Sequence, residues 1–300
     1  MISNFEGKTA VLTGAGSGFG LACARIGAQR GMNLVLVDVQ RDALEAAHEE
    51  LSAQGVKVMS RCVDVSQADP MQALAQDVHT QFGAPHLVFN NAGVGAGGLV
   101  WENSLADWQW VLGVNLWGVI HGVRLFTPMM LQAAKLDAHY QGHIVNTASM
   151  AGLLTPPNMG IYNVSKHAVV ALTETLYQDL QLVSDQVGAS VLCPYFVPTG
   201  IGQSQRNRPD ALASAHLTPS QRIGQAMMDK AVQSGKVSAQ EVALKVFDSV
   251  SADQFYIYSH PQALGNVAQR MQAIVSQNQP PDPFAARPEV GQQLRADLRH

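Results

Sequence analysis

The sequence of 300 residues predicts an α/β domain built on a doubly wound parallel sheet with helices on both faces. Three observations predict this fold. Short apolar runs alternate with longer amphipathic runs, which is the order of strands and crossover helices in a parallel sheet. The short runs are continuously apolar, as strands buried on both faces are. Small, acidic or amide residues follow directly after these runs, where ligands bind in such sheets.

The composition limits the classes of function. Of the residues, 47% are hydrophobic and 14% are charged, which is enough for a large core. A net charge of -4 without a Lys/Arg-rich run argues against nucleic-acid binding. No apolar run reaches the roughly 18 residues of a membrane span, and the first residues lack a signal-peptide pattern. Cys23, Cys62 and Cys193 have no C-x-x-C spacing, so we expect buried thiols, no metal site and a cytoplasmic protein.

A glycine-rich loop follows the first predicted strand, residues 8–13, and precedes a predicted helix, residues 21–28. This order is typical of nucleotide sites, because glycines let the backbone approach a pyrophosphate and the helix N-terminus offers amide donors. The spacing does not fit G-x-G-x-x-G, since Phe19 takes the place of the third glycine. It fits T-G-x-x-x-G-x-G through Thr13, Gly14, Gly18 and Gly20. A turn without function is the alternative.

The second predicted strand, Asn33–Asp38, ends in an acid 24 residues after Gly14. A carboxylate at about this separation accepts hydrogen bonds from the adenosine ribose and repels a 2′-phosphate, which favours NAD over NADP. Arg41 lies three residues further, and its positive charge is the feature that would counter this preference. Asp38 is also suited to be the N-cap of the helix predicted over residues 41–53, and both roles are compatible.

Two further strands are predicted on this half of the chain. Residues 56–63 form a strand that ends at Asp64 and Val65, and a helix is predicted from about Ala68 to Phe82. The strand over residues 86–89 ends at Asn90–Gly93. Small and amide residues at this position suit a crevice for a ribose or nicotinamide, and a plain turn is the alternative.

A helix is predicted from Leu105 to Leu131, broken near Pro128 and followed by a polar surface loop over residues 133–141. It carries Asn115 among apolar neighbours. A buried amide without hydrogen bonds costs about 1–3 kcal/mol, so Asn115 is expected to be a structural bridge or part of a polar relay.

The strand over residues 143–148 ends at Ser149, and a helix that runs to about Leu182 begins near Tyr162 and Lys166. Residues four apart lie on one helix face, and a nearby cation favours the phenolate of a tyrosine. The Ser149 hydroxyl and this pair are therefore expected to meet at one oxygen of a substrate. A chance Tyr-x-x-x-Lys is the alternative.

The remaining strands are predicted over residues 189–193, which end at Pro194, and over residues 255–259. Residues 201–238 are polar and irregular, which predicts a mobile lid or, alternatively, a disordered segment. A helix is predicted over residues 239–250. We expect one domain over residues 1–260 with a lid at about 200–238, and an extension over residues 261–300 that is helical to about 277 and then Pro-rich and loosely packed.

Taken together, these motifs resemble the short-chain dehydrogenase/reductase family over about residues 5–260. The resemblance is carried by Thr13-Gly14-x3-Gly18-x-Gly20, Asn90-Asn91-Ala92-Gly93, Asn115, Ser149, Tyr162-x3-Lys166 and Pro194. It implies a seven-stranded Rossmann-type sheet and a nicotinamide cofactor. It also implies that Tyr162 is the general acid/base and that Lys166 lowers its pKa and holds the nicotinamide ribose. Ser149 would bind the reacting oxygen, and Asn115 would hold a relay water.

The predicted cofactor-binding residues are Gly14, Ser17, Gly18, Phe19, Gly20, Asp38, Asp64, Val65, Asn91, Ala92, Gly93, Tyr162, Lys166, Pro194, Val197 and Thr199. In the family, the positions of Asp64 and Val65 contact adenine, and those of Val197 and Thr199 contact the carboxamide. The sequence departs from the family pattern at Tyr195, where glycine is usual. The long C-terminal region is similar to a subgroup in which C-terminal helices help to cover the pocket.

The substrate is expected to be a neutral, hydrophobic secondary alcohol or its ketone, because the residues placed by the motifs near the reacting oxygen are mostly apolar. They are Leu153, Leu154, Met159, Tyr195, Phe196 and Ile201, each of which is alternatively ordinary packing. The predicted function is thus NAD-dependent interconversion of alcohol and ketone by a homodimer or homotetramer, with no nucleic-acid or membrane partner. An epimerase or dehydratase and a non-catalytic NAD-binding sensor are the alternatives.

Overall fold

The structure is a computed structural model that describes residues 2–213 and 216–299. Met1, the lid residues Ser214 and Ala215, and His300 of the extension lie outside the described residues. Within them, seven strands form one parallel sheet in the order β3-β2-β1-β4-β5-β6-β7, with helices on both sides. The predicted fold class is therefore confirmed. The strands are β1 (Thr9–Thr13), β2 (Asn33–Asp38), β3 (Val58–Cys62), β4 (Leu87–Asn90), β5 (Gly142–Thr147), β6 (Val187–Cys193) and β7 (Tyr256–Tyr258).

The helices pack against both faces because side chains alternate between the faces of each strand. In β1, Ala10 and Leu12 join a core with α1 and α8, whereas Val11 joins the core on the opposite face. The helices are α1 (Gly18–Gln29), α2 (Arg41–Ser52), α3 (Ala68–Phe82), α4 (Leu105–Leu112), α5 (Gly118–Leu136), α6 (Gly160–Val183), α7 (Pro219–Gln233), α8 (Ala239–Ala252), α9 (Leu264–Val275) and α10 (Pro288–Arg299).

The sheet order places the carboxyl ends of β1 and β4 side by side. From β1 the chain continues to β2 and β3 on one side, and from β4 to β5, β6 and β7 on the other. The order reverses between these two strands, and doubly wound sheets bind ligands at such a reversal.

The helix predicted over residues 105–131 is interrupted at a different position from the one predicted. The irregular turn is a π-helix over Gly113–Trp117, between α4 and α5, and not near Pro128. Pro128 lies inside α5, since its fixed φ suits a helix and buried Phe126 and Met130 hold this part of α5 against the sheet. The predicted loop over residues 133–141 is also wrong in part, because α5 continues to Leu136.

The predicted irregular segment over residues 201–238 contains a helix. Short 3₁₀ turns form over Gly200–Asn207 and Asp210–Leu212, and α7 follows. The helix begins because Thr218 and Gln221 make a capping box and Pro219 occupies the first helical position. The expectation of an irregular chain was therefore wrong for α7, while lid mobility stays a prediction.

The C-terminal extension is more ordered than predicted. Beyond α9, the Pro-rich part leads into α10, whose Leu294 is buried and which contacts α7. Arg270 of α9 donates a hydrogen bond from Nη1 to the carbonyl oxygen of Leu153, at 3.3 Å. The division of the chain near residue 260 stays a prediction. No helix among the described residues is long and apolar enough to cross a membrane.

Candidate active site

A cavity lies at the carboxyl ends of β1, β2, β4 and β5. It measures about 1100 Å³ with its solvent-open part included, which is the size of a small-molecule site. One wall is the sheet edge with its loops. The opposite wall is formed by residues 200–209, which we call the roof. The cavity therefore lies at the carboxyl ends of the strands, where the sequence predicts a ligand site.

The glycine loop forms one end of this cavity. Gly14 and Gly18 have φ values of +67° and +53°, which favour glycine. A Cβ on Gly20 would lie only 2.0 Å from the carbonyl oxygen of Gly14, so the turn requires glycine there. Ser17, the N-cap residue of α1, makes no side-chain capping hydrogen bond, and the first turn of α1 has no acidic residue. The N-terminus of α1 thus presents amides to the cavity without a capping side chain, as an anion site requires.

Asp38 lines the cavity beside this loop. Its Oδ2 accepts a hydrogen bond from the Gly16 amide at 2.8 Å, and its Oδ1 accepts one from the Gln40 amide at 2.9 Å. The N-cap of α2 is Gln40, so the alternative that Asp38 caps this helix is wrong. Arg41 is 71% exposed at its side chain and lies 4.0 Å from Glu45, outside the cavity wall. The carboxylate of Asp38 therefore faces the cavity without this arginine beside it.

The loop after β4 is fixed by Thr13. Its Oγ1 accepts hydrogen bonds from the amides of Asn91 and Ala92, at 2.8 and 3.0 Å. The side chain of Asn91 donates to the Thr13 carbonyl oxygen and accepts from Thr147 Oγ1, at 3.0 and 3.2 Å. Asn91 thus ties β1, β4 and β5 together, and Ala92 and Gly93 line the cavity. Asp64 and Val65, which follow the end of β3, line it as well.

Asn115 lies in the π turn and is fully buried. Its Oδ1 accepts a hydrogen bond from the Val94 amide at 2.7 Å, and its Nδ2 donates to the Val94 carbonyl oxygen and to Ser165 Oγ at 3.0 and 3.1 Å. Of the two expected roles, the side chain is a structural bridge between the loop after β4 and α6. A part in a proton relay stays a prediction for Asn115.

Ser149, Tyr162 and Lys166 meet at the end of β5 and the start of α6. Lys166 is buried and donates a hydrogen bond from Nζ to the Thr147 carbonyl oxygen at 2.9 Å. The same nitrogen lies 5.7 Å from the centre of the Tyr162 ring. Tyr162 and Lys166 both line the cavity. Ser149 does not line it; it is the N-cap of a short 3₁₀ turn, Met150–Gly152, and its side chain makes a hydrogen bond with Tyr162.

Burial dominates the electrostatics of this group. It raises the pKa of Tyr162 from 10.0 to about 12, which a hydrogen bond with the Ser149 side chain opposes. Burial also lowers the pKa of Lys166 from 10.5 to about 8. The expectation that Lys166 brings the pKa of Tyr162 down is therefore not met in the protein alone, since desolvation of the phenolate is the larger effect.

The remaining predicted cofactor and substrate residues differ in whether they line the cavity. Pro194 and Thr199 line the cavity. Val197 is buried in the core, and Gly20 lies in the first turn of α1 and does not line the cavity. Of the predicted substrate residues, Ile201 lines the cavity. The remaining five lie outside its wall: Leu153 and Leu154 against the core under α6, Met159 at the start of α6, and Tyr195 and Phe196 with their rings 4.3 Å apart. Their part in substrate binding stays a prediction.

Comparison with known proteins decides the family. Residues 8–210 match the family model described as short chain dehydrogenase. The chain is a short-chain dehydrogenase/reductase. As a member of this family it is an oxidoreductase, and the resemblance drawn from the motifs is confirmed.

Individual relatives of this dehydrogenase match between 58% and 94% of its length. It is 51% identical to a short-chain dehydrogenase/reductase from Burkholderia phymatum, whose crystal structure is in complex with NAD; the match has a TM-score of 0.91 and covers 94% of this chain and 99% of that one. It is 30% identical over 283 residues to the CLA biosynthesis dehydrogenase/reductase of Lactiplantibacillus plantarum, covering 93% of this chain and 97% of the relative. It is 36% identical over 175 residues to the cyclohexanol dehydrogenase of Acinetobacter sp. (strain SE19), covering 58% and 67%.

Several cavity residues of the dehydrogenase escaped the sequence reasoning. Gln40 and Val94 follow strand ends, and Trp110 precedes Val114 of the cavity wall by one helical turn, so the strand-end rule and helical spacing point to them. No sequence signal marks the roof residues Ser204, Arg206 and Asn207, because the roof has no regular periodicity.

The roof is held to the rest of the dehydrogenase on two sides. Arg208 pairs with Asp107 of α4 at 2.6 Å, and both side chains are buried. Ser204 Oγ accepts a hydrogen bond from the amide of Gly95, at 2.9 Å. On the side of β2, Gln40 Nε2 donates to a roof side chain, Oδ1 of Asn207, at 2.6 Å. The roof thus spans the cavity from the loop after β4 to the end of β2.

Proposed function

We propose that the dehydrogenase binds NAD and interconverts a hydrophobic secondary alcohol and its ketone, with Tyr162 as general acid/base. One observation carries this proposal. The uncapped N-terminus of α1, Asp38, Tyr162 and Lys166 all face the same cavity. A diphosphate site, a ribose acceptor and an acid/base group are thereby brought within one site.

The residues present fit NAD. The positive φ of Gly18 and the missing side chain of Gly20 leave the backbone open for a diphosphate at α1. Asp38 would accept hydrogen bonds from the adenosine ribose, and its charge opposes a 2′-phosphate. The NAD complex of the Burkholderia phymatum relative supports this choice. When bound, NAD supplies the carbon that accepts or donates the hydride.

The chain itself positions the substrate and moves the proton. Ser149 would hold the substrate oxygen by a hydrogen bond, and the phenol oxygen of Tyr162 would take the alcohol proton during oxidation and return it during reduction. Lys166, held at Thr147, would stabilise negative charge on that phenol oxygen and bind the nicotinamide ribose. Asn115 would keep a main-chain group of the π turn available for a relay water.

The walls near Tyr162 support a hydrophobic substrate. Val94, Trp110 and Ile201 line the cavity and carry no charge, and Val94 and Trp110 pack in one apolar cluster with Ile161, the residue before Tyr162. A pocket of this kind disfavours phosphorylated or acidic substrates, because their charges would lose water without gaining partners. A relative is named cyclohexanol dehydrogenase, and cyclohexanol is a hydrophobic secondary alcohol, which supports this substrate class.

Replacing Tyr162 with Phe tests the proposal. We expect turnover of a panel of secondary alcohols, read at the NADH absorbance, to fall at least about 100-fold, because a positioned acid/base contributes about 10²–10⁴-fold. NADH binding, measured by fluorescence titration, should persist. Tyr177→Phe is the matched control, since Tyr177 lies on the same helix and packs its ring on Phe255 at 4.9 Å.

Three outcomes would contradict the proposed function. Full activity of the Tyr162→Phe variant would refute the role of this tyrosine. NADH that appears and disappears without net formation would indicate an epimerase or dehydratase. NADH binding without turnover of any alcohol or ketone would favour a non-catalytic sensor.

We also propose that the dehydrogenase forms a homodimer or homotetramer through α6 and the π turn. Trp117, Val164, Leu182 and Val183 are large apolar side chains on these elements, and all are exposed in the single chain. Apolar surface of this kind is typical of association sites. Light scattering gives the mass in solution, and a monomer at micromolar concentration would contradict the proposal.

A further inference from the structure

The charges around the cavity are unevenly distributed. Among the described residues that line it, the acids are Asp38 and Asp64 and the cations are Lys166 and Arg206. Lys166 is buried and bonded to Thr147 at the nicotinamide end. The glycine loop itself contains no lysine or arginine. A dinucleotide brings a doubly negative diphosphate to this loop. Because Lys166 is engaged at the nicotinamide end, Arg206 is the other cation of the cavity lining that could pair with this diphosphate.

Arg206 lies on the roof next to the glycine loop. Its Nη1 donates hydrogen bonds to the carbonyl oxygens of Gly200 and Gln203, at 3.0 and 2.8 Å. Its Nη2 lies 2.9 Å from the position that a Cβ on Gly200 would take. Thr199, the residue before Gly200, faces the glycine loop, since a Cβ on Gly18 would lie 3.5 Å from the Thr199 side chain. The guanidinium is therefore held close to the N-terminus of α1, on the opposite wall.

The two terminal nitrogens of this guanidinium differ in their partners. Both hydrogen bonds of Arg206 to the roof come from Nη1, and Nη2 has no hydrogen-bond partner among the described residues. Arginine presents its donors in a planar fork that matches a phosphate, and hydrogen bonds between charged groups are stronger than neutral ones. Nη1 thus orients the group while Nη2 remains available for a ligand.

We propose that Arg206 binds the diphosphate of the dinucleotide from the roof, opposite the amides of α1. This inference rests on the proposed binding of NAD. It assigns to the roof a direct electrostatic contact with the cofactor, so that the bound diphosphate holds the roof closed. A purely structural Arg206 would only stabilise the 3₁₀ turn through Gly200 and Gln203.

Ligands with and without phosphates separate the two roles. Dissociation constants for adenosine, ADP and NADH are measured by calorimetry or fluorescence on wild type, Arg206→Gln and Arg206→Lys. For Arg206→Gln we expect ADP and NADH to bind about tenfold more weakly, the lower end of the range for a charge-assisted hydrogen bond because Arg206 is exposed. Adenosine should bind unchanged, and Arg206→Lys should recover part of the loss.

The matched control is Arg222→Gln. Arg222 is an exposed arginine of α7 that donates from Nη1 to the Leu217 carbonyl oxygen at 3.2 Å and lies outside the cavity wall. It should leave all three ligands unchanged. The difference between wild type and Arg206→Gln in ADP binding should also shrink as salt is raised, because the contact is exposed to screening.

Two results would overturn the inference alone, with NADH bound by wild type. One is unchanged ADP binding by Arg206→Gln. The other is an equal loss for adenosine and ADP, which would mean that Arg206 only shapes the roof. Failure of wild type to bind NADH would instead overturn the proposed function, and this inference with it.

Discussion

The buried amine of Lys166 predicts how stability depends on pH. Burial lowers the pKa of Lys166 from 10.5 to about 8 in the folded protein. Between these pH values the unfolded chain holds a proton on this amine that the folded protein has lost. The contribution of Lys166 to the free energy of unfolding should therefore rise with pH across this window, since stability rises wherever the unfolded state binds more protons. The burial penalty is fully present below pH 8 and relieved as pH approaches 10.5.

The size of this effect follows from the two pKa values. The difference between 10.5 and about 8 corresponds to about 3 kcal/mol, at about 1.4 kcal/mol for each pKa unit. Lys166→Met removes the titration. It also leaves the Thr147 carbonyl oxygen without its donor, but that cost is the same at every pH. Wild type should thus gain about 2–3 kcal/mol relative to the variant between pH 7 and 10.

Urea unfolding of both proteins at a series of pH values measures this gain. The series stops at pH 10 because Tyr162 acts in the opposite direction above it. The pKa of Tyr162 is raised from 10.0 to about 12, so the folded state holds the extra proton there and stability falls with rising pH. Tyr162→Phe should lessen that fall, and the fall that remains comes from groups such as Tyr140, Tyr256 and Tyr258, whose pKa values burial also raises. A wild-type-minus-Lys166→Met difference that stays flat from pH 7 to 10 would refute the reasoning.

Three further variants test the site and its frame. Asp38→Ser should raise the kcat/KM ratio of NADP to NAD, and an unchanged ratio would refute the role of this acid. Gly20→Ala should abolish NADH binding or folding, because its Cβ would lie 2.0 Å from a backbone oxygen, whereas Gly265→Ala has no atom within 4 Å and should be tolerated. Asp107→Asn should lower the free energy of unfolding by about 3 kcal/mol, since it leaves Arg208 buried and uncompensated, and Arg208→Met added to it should restore part of the loss in urea unfolding.

The parts of the fold that the sequence predicts well are those with a strong local signal. The strand Asn33–Asp38 and the helix Ala68–Phe82 have the predicted bounds. A buried parallel strand is a continuous apolar run, and an amphipathic helix repeats its apolar residues every three or four positions. The strand-end rule then gathers distant residues such as Gly14 and Asp38 at one edge of the sheet without any knowledge of contacts.

The elements that the sequence predicts poorly depend on longer-range packing or on capping. The π turn around Asn115 exists where a buried amide bonds to the loop after β4, a contact between residues 21 positions apart. Pro128 is a local helix breaker that the core around Phe126 overrides. The helix α7 has a local signal in Thr218-Pro219-Ser220-Gln221, but its polar composition conceals that signal.

The apolar part of the cavity wall is poorly predicted because three separate parts of the chain contribute to it. Trp110 comes from α4, Val94 from a loop, and Ile201 from the roof. Position in the sequence relative to Ser149 therefore pointed to Leu153 and Leu154, which pack beneath α6. Proximity along the chain is a poor guide to a cavity whose roof crosses from another part of the fold.

Tyr162 and Lys166 illustrate how burial changes a local rule. Their spacing predicts that the ammonium lowers the pKa of the phenol, yet Nζ bonds to Thr147 and the pKa of Tyr162 is raised to about 12. The protein alone therefore keeps Tyr162 as a phenol at neutral pH. The low dielectric that causes this also strengthens the interaction between the phenol oxygen and any charge that is brought next to the ring. Under the proposed function, the positive charge of oxidised nicotinamide would favour the phenolate. The tyrosine would then lose its proton only in the complex that can also accept the hydride.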